Sequence, residues 1–290
     1  MQVRDVRWHE AGSKLIPASF FIGERRAAPV SELERSMAAI TIKGMEIGAG
    51  APKTIVSVMG KTLDECVSII EEGKAAGVEC FEWRADFNDA RAGIRAMVEQ
   101  GRALSAALPD HPLLFTFRSE SQGGNDTFDV DSYVALNRAL IESGSLDLVD
   151  IETWIGDGAV RDLVECAHRH GVVAVVSYHN FAGTPSKEWM VGLMTHMLDL
   201  GADIPKCAVM ALGSRDVLEL LGATEEVKRL HTAGPVLTMA MGREGSISRL
   251  AGEFFGSDLT FCSLSESSAP GQVDVRTARK IMDGFHAILG

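Results

Sequence analysis

Short hydrophobic runs alternate with amphipathic stretches along most of the chain. Eight runs rich in β-branched and aliphatic residues predict strands at 54–60, 80–86, 113–119, 148–153, 172–181, 206–210, 235–242 and 259–264. Each run is followed by a stretch that predicts a helix, for example at 64–76, 130–143, 187–200 and 273–289. Strict alternation of strand and helix is typical of a parallel sheet with helical crossovers. Eight such units in about 240 residues predict a closed (β/α)₈ barrel, the TIM-barrel fold.

The residues before the first strand of the predicted barrel complete the predicted domain organisation. The pattern ITIKGMEIG at 40–48 predicts a short N-terminal hairpin that turns near Lys43 and Gly44. A doubly wound open sheet is the alternative fold, but it needs a glycine-rich phosphate loop after the first strand, and the glycines at 48–50 precede that strand. Residues 1–36 lack periodicity and are expected to form a loosely packed extension, which leaves 37–290 as one barrel domain.

Composition narrows the classes of function. Hydrophobic residues make up 46% of the 290 residues and charged residues 23%, which suits a globular protein with a sizeable core. The formal net charge of -12 disfavours binding to nucleic acid or to anionic membranes, so an anionic ligand needs local arginines. The five cysteines lie far apart without a CxxC pair, and neither a signal peptide nor a membrane-length apolar run is found. A reduced, cytoplasmic protein is therefore expected.

Ionisable residues occupy the second predicted strand, where a barrel strand should be apolar on both faces. Alternation places Glu82, Arg84 and Asp86 on one face, pointing into the barrel, and Trp83 on the other. Three ionisable groups in an interior are costly unless they pair or bind a ligand. The alternative is a buried salt-bridge network that only stabilises the barrel.

Further polar residues fall near the C-terminal ends of the next three strands, where barrel enzymes carry their active sites. Arg118 ends the third strand, Asp150 and Glu152 share a face of the fourth, and Ser177 and His179 align on the fifth. A histidine in such a position is suited to proton transfer, although a purely structural histidine is the alternative.

Lys206 is the most distinctive residue of the chain because it lies within the apolar sequence IPKCAVM. Burial and nearby arginines disfavour the ammonium form, and a neutral amine is the form that attacks a ketone. The alternative is a lysine at the lower rim of the barrel with its amine in solvent, since Lys206 comes early in its strand.

The last two units add a candidate anion site and a candidate lid. Arg249 falls at the predicted start of the seventh helix, and a helix N-terminus favours an anionic ligand. The small residues at 267–272 follow the eighth strand, as in a hinged lid, although an ordinary connection has the same composition.

Six segments together resemble the type I 3-dehydroquinate dehydratases, from about Ile40 to the C-terminus. They are EWRAD at 82–86, FTFRS at 115–119, SYHNF at 177–181, DIPKCAVM at 203–210, SRLAGEFFGSDLTF at 248–261 and SAPGQ at 268–272. Each motif alone is weakly specific, whereas six in the same order and at similar spacing are highly specific.

The resemblance implies a cofactor-independent lyase without a metal that converts 3-dehydroquinate into 3-dehydroshikimate. Lys206 would form a Schiff base with the C3 ketone, and His179 would take the C2 proton and return it to the departing C1 hydroxyl. Arg249 would pair with the substrate carboxylate. The remaining expected ligands are Glu82, Arg84 and Arg118 around the ring hydroxyls and ketone, Ser268 and Gln272 from the lid, and, on a looser match, Ser57, Met239, Met241, Phe181 and Phe261. A homodimer is also expected from the resemblance.

One position departs from the family pattern. The family usually carries a glutamate directly before the glycine pair that corresponds to Gly123 and Gly124, and that glutamate contacts the catalytic histidine. Here the position is Gln122, with Glu120 two residues earlier. Three outcomes are open: Glu120 takes over, the enzyme works with a less basic His179, or the protein serves another ligand. Reduced or shifted activity is favoured, because the other motif residues remain.

Two further functions compete with this one. An aldolase that cleaves a hydroxy-ketone would share the lysine, but it gives no reason for SAPGQ and SRLAGE to occur together. A catalytically inactive protein that binds quinate-like carboxylates is supported by Gln122 alone. Sequence does not distinguish aromatic biosynthesis from quinate breakdown, since both use the same reaction.

Overall fold

The computed structural model describes residues 38–289, so the predicted extension at 1–36 lies outside the described residues. Ten strands are present within that range: β1 (Ile40–Ile42), β2 (Met45–Ile47), β3 (Lys53–Val58), β4 (Cys80–Arg84), β5 (Leu113–Thr116), β6 (Leu148–Glu152), β7 (Val173–Asn180), β8 (Ile204–Met210), β9 (Leu237–Met241) and β10 (Leu259–Cys262).

Helices follow the strands in the order that the sequence predicts. The described α-helices are α1 (Leu63–Ala76), α2 (Ile94–Ala107), α3 (Val130–Glu142), α4 (Asp157–Arg169), α5 (Lys187–Asp199), α6 (Ser214–Leu230), α7 (Ser246–Leu250), α8 (Gly252–Phe255) and α9 (Val275–Leu289). Short 3₁₀ turns cover Ala85–Phe87, Asp89–Ala92, Glu120–Gln122 and Thr153–Ile155.

Strands β3 to β10 form one parallel sheet that curls into a barrel. Each strand from β3 to β8 pairs with the next, and β10 pairs with β3. At the seam between β9 and β10 the amide of Asp258 donates to the carbonyl of Val236 at 2.8 Å, and the Ser257 hydroxyl accepts from the amide of Thr238 at 3.0 Å. Consecutive order without a topological switch point confirms the predicted (β/α)₈ barrel and excludes the doubly wound alternative.

Alternation along the strands separates two apolar layers. Phe81 and Trp83 of β4 face outward and pack under the helices, together with Phe115 of β5. Residues whose side chains alternate to the inner face of the strands, such as Ile55 and Leu114, fill the lower part of the barrel. Burying one large apolar side chain contributes about 1.5–3 kcal/mol, so both layers favour this register strongly. The filled lower part confines polar chemistry to the C-terminal ends of the strands.

The predicted hairpin is confirmed and covers the bottom of the barrel. Strands β1 and β2 pair antiparallel, with a turn at Lys43 and Gly44, whose φ angles are 46° and 80°. Met45 and Ile47 are buried against the lower apolar layer. The Lys43 ammonium pairs with the Asp147 carboxylate at 2.8 Å, which ties the turn to the barrel.

Several predicted strands, among them β4 and β5, end earlier than their hydrophobic runs. Strand β4 ends at Arg84 because a 3₁₀ turn begins at Ala85, and β5 ends at Thr116 rather than at 119. Asp86 therefore does not continue the alternation of β4, but it is fully buried and pairs with Arg84. The five cysteines are buried and form no disulfide. Within residues 38–289, no helix is both long and apolar enough to cross a bilayer.

Candidate active site

A cavity with about 430 Å³ of empty space lies at the C-terminal ends of the barrel strands. Its lining residues are Glu82, Arg84, Arg118, Gln122, Gly123, His179, Phe181, Lys206, Ala208, Met239, Met241, Arg249, Phe261, Ser268, Ala269 and Gln272. The structure thus brings together almost every site residue that the sequence predicted, from six different strands or the loops after them.

Lys206 lies in the floor of this cavity. Its side chain is 2% exposed, and its Nζ is 2.7 Å from Oδ2 of Asp150 and 3.7 Å from Oε1 of Glu82. The ring centroid of Phe261 is 4.6 Å from Nζ on a further side. The alternative of a lysine with its amine in solvent is therefore wrong. The expectation from sequence counted the arginines around the amine but not the two carboxylates of Asp150 and Glu82 that lie beside it.

Asp150 is held by three donors at once. Oδ2 contacts both Lys206 and Nη2 of Arg118, the latter at 2.8 Å, and Oδ1 accepts a hydrogen bond from Ser177 at 2.6 Å. Burial alone would raise the pKa of Asp150, but the positive charges of Arg118 and Lys206 outweigh it and hold the pKa well below its usual range. Asp150 is therefore a permanent anion directly below the cavity.

Arg118 is bound by acids of the barrel rather than free to bind a ligand. Besides Asp150, its Nη1 donates to Oε1 of Glu152 at 2.6 Å and to the hydroxyl of Ser177 at 3.1 Å. Burial would lower the pKa of this guanidinium, but Asp150 and Glu152 raise it above its usual value. Arg118 nevertheless lines the cavity, so its expected role as a ligand of the ring hydroxyls stays a prediction, beside the contacts by which it positions the two acids.

His179 sits at the wall of the cavity, near the end of β7, and contacts Gln122. The Oε1 atom of Gln122 is 2.6 Å from the backbone nitrogen of His179 and 3.2 Å from its Nδ1. Because a backbone N–H can only donate, the side-chain atom that faces it must be the amide oxygen. The same oxygen accepts from Nδ1–H, which leaves the lone pair of the imidazole on Nε2.

Electrostatics keep His179 neutral. Burial lowers its pKa well below the usual value, and the positive charges of Arg118 and Lys206 lower it further, against a smaller opposing effect of Asp150. Gln122 is neutral and does not restore a negative charge beside the ring. Glu120 is exposed at the start of the 3₁₀ turn, so the hypothesis that it replaces the missing glutamate is wrong.

The two acids of the second-strand motif, Glu82 and Asp86, have different neighbours. Glu82 accepts hydrogen bonds from Ser57 at 2.6 Å and from Thr116 at 2.9 Å, and it faces Lys206. Asp86 binds Arg84 through both carboxylate oxygens at 2.8 Å. This bidentate pair fixes the guanidinium of Arg84 at the edge of the cavity.

Arg249 differs from the other arginines of the site. It is buried, but none of the acids among residues 38–289 forms an ion pair with it. Its Nη atoms reach the carbonyls of Phe261 at 3.5 Å and Pro270 at 3.3 Å, and within the same part of the chain its Nε has no acceptor. Burial lowers its pKa to about 10, so it remains a cation at neutral pH. A buried cation without a partner is suited to an anionic ligand.

The sequence-based reason for Arg249 is wrong even though the residue lines the cavity. Helix α7 covers only Ser246–Leu250, and Arg249 lies in its last turn rather than at its start. The anion-binding argument therefore depends on the unpaired guanidinium and not on the helix N-terminus.

The loop after β10 closes over the cavity. Ser268 donates its amide to Oε1 of Gln272 at 2.9 Å, and Nε2 of Gln272 donates to the Ser268 hydroxyl at 2.8 Å. The Ser268 hydroxyl is also 2.9 Å from that of Ser57. Ser57 is thus placed beneath the lid, where it joins Ser268 to Glu82, rather than in the cavity lining.

Sequence reasoning did not assign roles to four residues that complete the site, Asp150, Glu152, Ser177 and Thr116. Asp150 was noticed as a polar position of β6, and the register pairs Glu152 with Ser177 and Ser177 with Lys206 across β6, β7 and β8. Thr116 binds Glu82 from β5. Inward-facing polar residues on neighbouring strands were the available signal for all four, but which acid meets the lysine depends on the tilt of the barrel strands.

Comparisons with known proteins agree with this arrangement. A family model described as type I 3-dehydroquinase matches residues 54–288. The 3-dehydroquinate dehydratase of Shigella boydii serotype 4 is 40% identical over 250 residues, which cover 86% of this chain and 99% of that protein. The corresponding protein of Salmonella agona is 41% identical with the same coverage.

Solved structures show the same similarity. The type I 3-dehydroquinate dehydratase of Clostridium difficile superposes with a TM-score of 0.83 at 38% identity, covering 86% of this chain and 98% of that one, and it contains covalently modified comenic acid. The 3-dehydroquinate dehydratase of Geobacillus kaustophilus superposes with a TM-score of 0.82 at 37% identity, covering 86% of this chain and 96% of that one.

Proposed function

The chain belongs to the type I 3-dehydroquinase family of hydro-lyases, and from that membership we propose that it dehydrates 3-dehydroquinate to 3-dehydroshikimate through a Schiff base on Lys206. The observation that carries the proposal is the buried amine of Lys206 in the floor of a cavity that also contains His179 and the unpaired Arg249. The three groups supply a nucleophile, a proton carrier and a site for a carboxylate.

The first step joins Lys206 to the C3 ketone. The ammonium gives up one proton, the amine adds to the carbonyl carbon, and the carbonyl oxygen leaves as water, so the nitrogen ends as a protonated imine. The iminium withdraws electrons from C2 and makes its proton acidic, which is the purpose of covalent catalysis here.

His179 carries the proton in the second step. Its Nε2 takes the C2 proton, giving an enamine, and the resulting imidazolium returns that proton to the C1 hydroxyl, which departs as water. The low pKa of His179 keeps the ring neutral and ready to act as a base. Hydrolysis of the new iminium then releases the product and restores Lys206.

Arg249 and the lid orient the substrate. A carboxylate at C1 would pair with the guanidinium of Arg249, whose Nε has no acceptor within residues 38–289. Ser268 and Gln272 would close over the same group from the lid, and Glu82 and Arg84 would bind polar groups of the ring. This arrangement explains how an acidic protein binds an anion.

The competing functions have less support. An aldolase is disfavoured because the curated relatives are dehydratases over 86% of this chain. A binding protein without activity stays an outcome of the test below. The homodimer and the cytoplasmic location remain predictions, as does the choice between aromatic biosynthesis and quinate breakdown.

The proposal is tested by replacing Lys206 with methionine, which keeps the stem and removes the amine. Product formation is followed by the absorbance of the conjugated enone in 3-dehydroshikimate, and the activity is expected to fall at least about 10³-fold. Lys228→Met is the matched control, since Lys228 is also buried and bound to an aspartate, Asp258, at 2.8 Å, but outside the cavity. Equal residual activity in the two variants, or no enone from the wild-type protein, would contradict the proposal.

A further inference from the structure

Asp150 has no role in the steps above, yet it makes the shortest polar contact to the reacting nitrogen. Its Oδ2 is 2.7 Å from Nζ of Lys206, whereas Oε1 of Glu82 is 3.7 Å away. Both partners are almost completely inaccessible to solvent: Asp150 is 0% exposed and Lys206 is 2% exposed. Water and dissolved salt weaken the attraction within an ion pair at the surface, but they screen a buried pair such as this one much less.

The carboxylate of Asp150 cannot turn away from Lys206. Ser177 occupies Oδ1 at 2.6 Å, and Arg118 shares Oδ2 with the lysine at 2.8 Å. Arg118 is itself fixed by Glu152 at 2.6 Å. The negative charge therefore stays beside Nζ whatever happens above it in the cavity.

Charge balance of the condensation gives this fixed anion a function. A lysine ammonium and a ketone yield a protonated imine and one water molecule, so the nitrogen carries one positive charge before and after the reaction. The proton lost when the amine attacks is returned when the carbonyl oxygen leaves as water. A carboxylate that pairs with the ammonium can therefore pair with the iminium without any net transfer of protons.

We infer that Asp150 is the permanent counter-ion of the Lys206 nitrogen, as ammonium and as iminium alike, and thereby makes Schiff-base formation independent of proton uptake. The inference rests on the proposed function, because it presupposes the Schiff base on Lys206. Asp150 is then a positioning and charge-balancing residue and not a base. Its pKa, which is held well below the usual range, agrees with that distinction.

Other charged groups near Lys206 do not replace Asp150. They are Glu82 on β4, Arg118 after β5, His179 on β7, and the cavity arginines Arg84 and Arg249. Three of these are cations, His179 is held neutral, and Glu82 lies 1 Å farther from Nζ than Asp150 does. Without Asp150 the surroundings of Lys206 favour the neutral amine, from which an iminium forms only by taking up a proton.

The experiment measures how much enzyme is trapped on Lys206 by borohydride at saturating 3-dehydroquinate, as a function of pH. The wild-type protein is expected to give a constant trapped fraction between about pH 7 and 9. Asp150→Asn is expected to give a fraction that falls by up to about tenfold per pH unit over the same range, because its condensation consumes one proton.

Glu152→Gln is the matched control for loss of structure. Glu152 is a fully buried acid on the same strand that also binds Arg118, but its carboxylate bonds reach Arg118, Ser119 and Trp154 rather than Lys206. This variant is expected to keep the pH-independent trapping of the wild type even if its melting temperature falls. A loss in Glu152→Gln equal to that in Asp150→Asn would overturn the inference.

The remaining outcomes separate this inference from the proposed function. No adduct in the wild-type protein would remove the Schiff base, and the counter-ion with it. An adduct in the wild type together with unchanged trapping in Asp150→Asn would overturn the counter-ion alone. If Asp150→Asn does not fold, Asp150→Ser, which also removes the negative charge beside Nζ, takes its place with the same expected decline, and a trapped fraction that stays constant with pH in that variant would contradict the inference.

Discussion

Replacing Gln122 with glutamate is expected to raise the pKa of His179. The substitution places a negative charge where the amide oxygen now lies, 3.2 Å from Nδ1. Coulomb attraction at that separation is about 1 kcal/mol in a water-like dielectric and about 5 kcal/mol at an effective dielectric constant of 20. His179 is half-buried and the new carboxylate loses some hydration, so we expect a rise of about 1–2 pKa units, or about 1.4–3 kcal/mol.

The sign of the effect on activity follows from the role of His179 as a base. The base must be neutral in the free enzyme, so kcat/KM falls at acid pH where the imidazole becomes protonated. In the wild-type protein the pKa of His179 is lowered, which places this acid limb below the ordinary histidine value of about 6.5. Gln122→Glu should move the limb to higher pH by about 1–2 units, because the added carboxylate favours the imidazolium form.

The assay is a pH–rate profile of kcat/KM for enone formation, measured for the wild type, Gln122→Glu and Glu120→Gln. Glu120→Gln is the matched control, because it removes a carboxylate two residues away that is exposed to solvent. Its charge is screened, so the acid limb should move by less than about 0.3 units. Coincident profiles for wild type and Gln122→Glu, or a shift in the control as large as in the test variant, would refute the reasoning.

Three other substitutions test separate parts of the structure. Arg249→Lys keeps the charge but loses the planar fork, so KM for 3-dehydroquinate should rise about 10- to 100-fold with a smaller change in kcat, measured by steady-state kinetics. Ile47→Ala, in the hairpin under the barrel, should lower the free energy of unfolding by about 2–5 kcal/mol in urea titrations while kcat stays within about twofold, since the residue is buried far below the cavity. In Gly124→Ala the new methyl group would overlap the carbonyl of Arg118, so the loop that carries Gln122 must shift. We expect a marked fall in kcat/KM, measured by steady-state kinetics, together with only a small fall in melting temperature. An unchanged KM, a stable Ile47→Ala variant or a fully active Gly124→Ala variant would each contradict the corresponding contact.

The architecture was predictable because barrel strands have a pattern that few other folds share. Eight apolar runs separated by amphipathic stretches predicted the strands, and the structure confirms all eight. The ends of the runs were less predictable: β4 stops at Arg84, where a 3₁₀ turn begins, and β5 stops at Thr116, although the residues that follow each strand remain buried. Hydrophobicity reports burial and not strand pairing, so it overestimates strands at the active-site end.

The sequence predicted which residues lie at the candidate site but not which of them contact one another. The place of His179 at the cavity followed from its position near the C-terminal end of a parallel strand, whereas Lys206 and Arg249 were placed there by the resemblance to the family. The neighbours of Lys206 did not follow, because the tilt of the barrel decides that Asp150 rather than Glu152 meets it. The unpaired state of Arg249 is likewise a three-dimensional property.

The most direct test of the central claim is borohydride reduction of the purified protein with and without 3-dehydroquinate, followed by mass mapping of peptides. The account predicts a reduced adduct on the peptide that contains Lys206, formed only in the presence of substrate. Folded protein that yields no adduct with intact substrate, or an adduct on a different lysine, would contradict covalent catalysis at Lys206.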